Sequence, residues 1–90
     1  MPFINKTSIN VTVVSNSGSI REQVIPTDWI MSHKQGVVLC FKTPGMPFRI
    51  PLAEIQKQLR LKPNMGVSIY SNDIETFWIS QAQLDDYLEV

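Results

Sequence analysis

The sequence predicts an α+β fold, a mainly antiparallel sheet of about six strands with helices on one face. Three observations predict it. Apolar and polar residues alternate along several short segments, which is the period of strands. Turn-forming residues separate those segments at short intervals, so sequence neighbours should pair antiparallel. An aliphatic residue also recurs five positions after another, at Ile25 and Ile30, Ile50 and Ile55, and Ile79 and Leu84, with Pro or Ser directly after the first of each pair. This recurrence reads as three strand–strand–helix units, residues 8–35, 36–64 and 65–90, within one domain. The likeness of Gly36-Val37-Val38-Leu39 to Gly66-Val67-Ser68-Ile69 supports it. The alternative is a four-stranded sheet with two helices.

In the first unit, Ile9, Val11 and Val13 fall on one face of a half-buried strand over residues 8–15. Asn16 to Ser19 is a turn, and Ile20 to Ile25 returns as the second strand. Pro26 has no N–H to donate, so pairing should stop there. Thr27 or Asp28 then caps a short helix over Trp29, Ile30 and Met31, which Gly36 closes.

The second unit opens with a strand over residues 37–42. Thr43-Pro44-Gly45 suits a type II turn, with Pro presetting φ and Gly supplying positive φ. Residues 46–50 pair back, and Pro47 suggests an edge position. Pro51 suits the first turn of a helix, where its missing N–H costs nothing. Leu52, Ile55 and Leu59 follow the helical period. Pro63 helps to end the unit.

In the third unit, residues 66–71 and 74–79 form a hairpin around Asn72-Asp73. Ser80-Gln81-Ala82-Gln83 reads as a capping box, with Ser accepting from the third position and Gln reaching back. Leu84, Tyr87 and Leu88 make one face of the closing helix. Strand parity places Ile25, Phe48, Ile50, Phe77 and Ile79 inward, and Val24, Arg49 and Trp78 on the other face.

Composition narrows the function classes. Hydrophobic residues are 43% and charged residues 18%, too apolar for a disordered chain and too lightly charged for a coiled coil. No run approaches the ~20 apolar residues that span a bilayer, and the first residues lack the basic and apolar regions of a signal peptide. The single Cys40 excludes an intramolecular disulfide, so a reducing cytoplasm is the expected compartment. The formal net charge is +0, but it is unevenly spread. Residues 1–62 carry all eight Lys and Arg against Glu22, Asp28 and Glu54, a balance of +5. Residues 63–90 carry five acids and no base, a balance of −5. Such a bipolar chain suggests a head-to-tail meeting with a partner or with its own copy.

Catalytic and metal chemistry is poorly supplied. The one His and one Cys are seven residues apart, and a Cys–His nucleophile needs the fold to join them. Cys40 sits among apolar strand residues, and His33 lies in a polar segment. One His and one Cys do not make a zinc site. Asp73 and Glu75 fall short of the six or more oxygens a hard cation requires. No phosphate-binding glycine loop is present. No cofactor is expected.

These features point to a small non-enzymatic protein-binding module, a regulator or inhibitor that occludes a partner's surface. Trp78 and Trp29 are the expected anchors, because Trp is costly to bury in a small core and favoured at interfaces. Asp73, Glu75, Asp85 and Asp86 are the expected acidic contacts. The alternative is a nucleic-acid-binding module using Lys42, Arg49, Lys57, Arg60 and Lys62, with Phe41, Phe48 and Trp78 as stacking faces. A further alternative is a structural subunit of a homodimer or larger homo-oligomer, since unpaired sheet edges invite strand addition. No membrane partner is expected.

Overall fold

The computed structural model describes residues 6–45, 47–62 and 64–89. Six strands and two helices follow in the order β1 (Ser8–Ser15), β2 (Ile20–Ser32), β3 (Gly36–Phe41), β4 (Phe48–Pro51), α1 (Leu52–Leu61), β5 (Val67–Ser71), β6 (Glu75–Ile79) and α2 (Gln81–Leu88). The strands form one sheet, ordered β4-β3-β2-β1-β6-β5, and every neighbouring pair is antiparallel. The fold is α+β with six strands, as the alternation predicts.

The first unit departs from expectation. No helix follows Pro26. The chain stays extended, and β2 runs for 13 residues. Its first half pairs with β1, from Val14–Ile20 to Ser8–Pro26, and its second half pairs with β3, from Thr27–Phe41 to Ser32–Gly36. Pro26 marks the change of partner. Its carbonyl accepts from the Lys42 N–H at 2.8 Å, and the next donor, the Thr27 N–H, reaches the Thr7 carbonyl at 2.7 Å. The position uses an acceptor and loses no ladder bond of β1 for want of a donor.

Tertiary pairing outweighs the capping signal of Thr27 and Asp28. A two-turn helix is marginal alone, whereas Thr27 to Ser32 gain a full ladder against β3. The Ser32 hydroxyl accepts from the Lys34 and Gln35 N–H groups at 3.3 Å each, which tightens the hairpin turn. Gly36 closes it at φ +69°, in the left-handed region that glycine tolerates.

Two of the three expected units keep the strand–strand–helix order. Even these do not repeat in space. The second strand of the middle unit, β4, is an edge strand, while the second strand of the last unit, β6, lies beside β1 in the interior of the sheet. The spacing of 25 and 30 fails too. Ile25 is buried, but Ile30 is 46% exposed on a strand rather than turned inward on a helix. The other two spacings keep their pattern, with Ile55, Ile79 and Leu84 buried and Ile50 packed against the core.

β4 begins at Phe48, and of the strand expected over 46–50, Met46 lies outside the described residues. Pro63 does as well. Pro51 ends β4 and serves as the N-cap of α1, with extended backbone at φ −62° and ψ 135°, so it sits one position earlier than the expected first turn. Glu54 stands in the first turn of α1 and Arg60 in the last, each complementing the helix dipole.

One core joins these elements. Ile9, Val11 and Val13 of β1, Ile25 of β2, Leu39 and Phe41 of β3, Val67 of β5 and Phe77 and Ile79 of β6 are buried together. Ile55 and Leu59 of α1 and Leu84 and Tyr87 of α2 complete the cluster. An aromatic chain runs through it. Phe41 stacks on Phe48 at 4.8 Å, Phe48 stacks on Tyr70 at 4.8 Å, and Phe77 meets both Phe48 and Tyr70 edge-on. Phe48 and Tyr70 belong to β4 and β5, the two edges of the sheet, so their contact curls the sheet into a nearly closed barrel. A register shift between Ser68 and Tyr70 in β5 accompanies the curl. Edges drawn together in this way, and only four and five residues long, are poor templates for strand addition.

The capping box forms as read. The Ser80 hydroxyl accepts from the Gln83 N–H at 3.1 Å, and the Ser80 N–H donates to Gln83 Oε1 at 2.9 Å. The Gln83 amide also donates to Thr12 Oγ1 at 2.9 Å, tying α2 to β1. Among the described residues no helix is long and apolar enough to cross a membrane.

Candidate partner-binding face

Residues directly opposite one another in an antiparallel pair share a face. The register therefore assembles the face turned away from the core row by row. Ile20, Val14 and Thr76 form one row; Glu22, Thr12, Trp78 and Ser68 form the next; Val24 stands beside Asn10 in the third. Glu22 is the sole charged residue of these rows. Ile20 and Val24 are 71% and 63% exposed. Ile74, just before β6, is 70% exposed, and its carbonyl accepts the Asn16 N–H at 2.9 Å. Trp78 is half-buried in the middle row. Its parity is as predicted, opposite to buried Phe77 and Ile79.

Trp29 is placed differently. It shares the inward parity of Ile25 and Thr27, is half-buried, and packs against the core. The two tryptophans therefore lie on opposite faces of the sheet and do not build one site.

The acidic stretch is divided as well. Glu75 pairs with Arg21 at 3.0 Å, and its side chain is only 20% exposed. Asp73 sits in the exposed turn, where its carbonyl accepts from the Asn16 side-chain amide. Asp85 and Asp86 lie on the exposed side of α2; Asp85 accepts from Gln81 at 2.8 Å, and Asp86 pairs with Lys6 at 3.7 Å. The fold thus brings the acidic tail back onto the basic front of the chain. The −5 and +5 halves of the sequence are not two separate poles.

The basic cluster divides in the same way. Lys42 pairs with Asp28 at 2.8 Å. Arg49 is exposed on β4, across from Cys40. Lys57, Arg60 and Lys62 belong to α1 and its C-cap. Among the described residues, Arg49, Lys57, Arg60 and Lys62 make no ion pair. Phe41 and Phe48 face the core rather than solvent.

His33 and Cys40 are not brought together. His33 lies in the turn of the β2–β3 hairpin, whereas Cys40 is near the far end of β3, paired with Asp28. At ~3.3 Å per strand residue, the four steps from Gly36 to Cys40 alone exceed hydrogen-bond reach several-fold. Among the described residues no three His, Cys, Asp or Glu side chains gather as a metal-binding group.

Sequence reasoning missed two polar features. The first is a cleft of about 290 Å³, where Arg21 and Gln23 of β2 face Glu75, Tyr70 and Phe77. Arg21 donates to Gln23 at 3.2 Å as well as pairing with Glu75. The inward parity of Arg21 and Gln23 with Ile25 was the available signal. The second is a buried hydrogen bond, 3.0 Å long, between the Thr27 and Tyr87 hydroxyls. Burial raises the Tyr87 pKa by disfavouring the phenolate; the hydrogen bond from Thr27 opposes the rise and the Asp28 charge adds to it.

Comparison with protein-family models, with curated proteins and with solved structures found no match.

Proposed function

We propose that this chain is a small non-enzymatic protein-binding module of the cytoplasm, acting as a regulator or inhibitor by covering part of a partner's surface. The observation that carries this reading is the outer sheet face. Ile20, Val24 and Ile74 are largely exposed around half-buried Trp78, and Glu22 is the sole charged residue of the three rows centred on it. Exposed apolar side chains scattered singly are ordinary, whereas a contiguous group beside a Trp is what a protein interface presents. The reading takes both helices to lie on the core side of the sheet. The entry of Ile55, Leu59, Leu84 and Tyr87 into one core supports that placement, with α2 reaching the border of the Trp78 row where Gln83 donates to Thr12.

The nucleic-acid alternative is weaker. Lys42 is neutralised by Asp28, and two of its three stacking faces point into the core.

Affinity purification with matched baits tests the reading. The wild type is compared with Trp78→Ala and with Val24→Asp, each checked for unchanged melting. A protein held by the wild type and lost by both variants is the expected result. A bait that holds no protein, or variants that hold it as well as the wild type, would refute it.

A further inference from the structure

The cleft at the end of the barrel where the turns meet carries an inference about a small-molecule site. The register fixes what faces it. Val13 stands opposite Arg21 of β2 and opposite Phe77 of β6, and Phe77 stands opposite Tyr70 of β5. These four residues therefore share the inner face of the sheet. Gln23 and Glu75 share it too, each two positions along its strand from Arg21 or Phe77. Thr43 and Pro44, which follow β3, and Asn72, in the β5–β6 turn, complete the described lining of about 290 Å³. The inner face is apolar at Val11, Ile25 and Ile79 and turns polar at this end.

Inward polar side chains are expensive in a core this thin. The Glu75 side chain is only 20% exposed, and a carboxylate so placed costs stability even when paired. Apolar residues at these positions would extend the core instead. The ion pair also keeps a spare atom on each partner. Arg21 reaches Gln23 at 3.2 Å and Glu75 at 3.0 Å through the same nitrogen, Nη2, so the N–H groups of Nη1 are left as donors. Glu75 takes this contact on Oε2, which leaves Oε1 as an acceptor. Tyr70 and Phe77, edge-on with ring centres 5.7 Å apart, stand beside the pair as an apolar wall.

We propose that this cleft binds a free α-amino acid with an apolar side chain. The described lining holds one cation and one anion, so a ligand with one charge of each sign keeps the site neutral. A ligand with a single charge would leave that charge uncompensated beside a mostly buried carboxylate. The ligand carboxylate accepts charge-assisted hydrogen bonds from Arg21 Nη1. Its ammonium donates to Glu75 Oε1, and its side chain lies against Tyr70 and Phe77. The mouth of a barrel is a favoured place for such a site, and the volume falls at the small end of the ~300–1,000 Å³ of ligand pockets. So small a ligand in an open cleft binds weakly, with Kd about 1 mM.

Titration of the whole chain with L-leucine, L-methionine and L-phenylalanine, followed by amide NMR spectra, tests this. The expected result is a set of saturable shifts centred on Arg21, Gln23, Tyr70, Asn72 and Glu75 with at least one of the three. Isocaproate, which lacks the ammonium, and isoamylamine, which lacks the carboxylate, should bind about tenfold more weakly than leucine or not at all. Arg21→Gln and the near-isosteric Glu75→Gln should each weaken amino-acid binding about tenfold or more, while Trp78→Ala, on the opposite face, should leave it unchanged. The spectra themselves show that each variant folds. No saturable shift with any of the three amino acids, shifts centred elsewhere, equal binding of the one-charge analogues, or folded Arg21→Gln and Glu75→Gln proteins that bind as the wild type does would overturn the proposal.

Discussion

Removing the Thr27–Tyr87 hydrogen bond from either side should destabilise the protein more than removing both hydroxyls together. Thr27 is 4% exposed and Tyr87 2%, and Thr27 is the sole buried polar side chain among the described residues apart from that phenol. The bond joins β2 to α2 across 60 residues of sequence at 3.0 Å. Thr27→Val keeps the shape but strands the phenol in the core. Tyr87→Phe strands the Thr27 hydroxyl. A buried group left without its partner costs about 1–3 kcal/mol. The double variant strands nothing and should lose only about 0–1 kcal/mol relative to the wild type, given a net value of about 1 kcal/mol for a typical hydrogen bond. With about 2 kcal/mol lost by each single variant and about 1 kcal/mol by the double, the coupling between the two sites is about 3 kcal/mol, at the upper end of the range for contacting residues. In a domain of this size each single variant should lower Tm by roughly 5–15 °C. Urea unfolding of all four proteins, followed by tryptophan fluorescence, measures the cycle. Strictly additive losses would show that the two hydroxyls do not interact, and the account of how α2 is fixed to β2 would fail.

Three further outcomes follow from the same structure. Tyr87 holds its proton more tightly when folded than its ordinary pKa of 10.0 implies. The unfolded phenol ionises first, so this contribution is complete below pH 10 and is lost as pH rises through the elevated folded value. Urea midpoints should fall above pH 10, and less so in Tyr87→Phe; identical pH profiles would refute the link. Ser80→Ala removes the acceptor for the Gln83 N–H and should cost about 1 kcal/mol by urea unfolding; an unchanged midpoint would mean the cap contributes nothing. Gly66→Ala should destabilise by about 1 kcal/mol or more, because φ is +25° and a Cβ would stand 3.0 Å from the Ile79 carbonyl oxygen. A more stable Gly66→Ala protein would contradict that geometry.

The strands were legible wherever local pattern and tertiary environment agree. Ile9, Val11 and Val13 alternate with polar residues and are buried on one face of β1. The capping box at Ser80 and Gln83 needs only local geometry, and it forms as read. Thr27, Asp28 and Trp29 show the opposite case. Their local signals suit a helix N-terminus, but six residues of pairing with β3 hold them extended. That ladder cannot be seen from residues 20–32 alone. The candidate site was half legible. Parity placed Trp78 outward, yet the exposure of Ile20 and Ile74 and the inward placement of Trp29 depend on which strands stand beside them.

The amino-acid order by itself determined the α+β class, five of the strand segments nearly whole, the two helices that form, and the inward residues Ile9, Val11 and Val13 of β1, Ile25 of β2, Phe48 and Ile50 of β4, and Phe77 and Ile79 of β6. Those properties follow from periods of 2 and 3.6 and from turn and cap chemistry, all of which act over a few residues. Tertiary structure alone decided that β2 runs through Pro26, that β4 and β5 meet through Phe48 and Tyr70, and that the acidic tail folds back onto Arg21 and Lys6. Each of these is a contact between segments far apart in the chain, where burial and pairing between elements outweigh local preference.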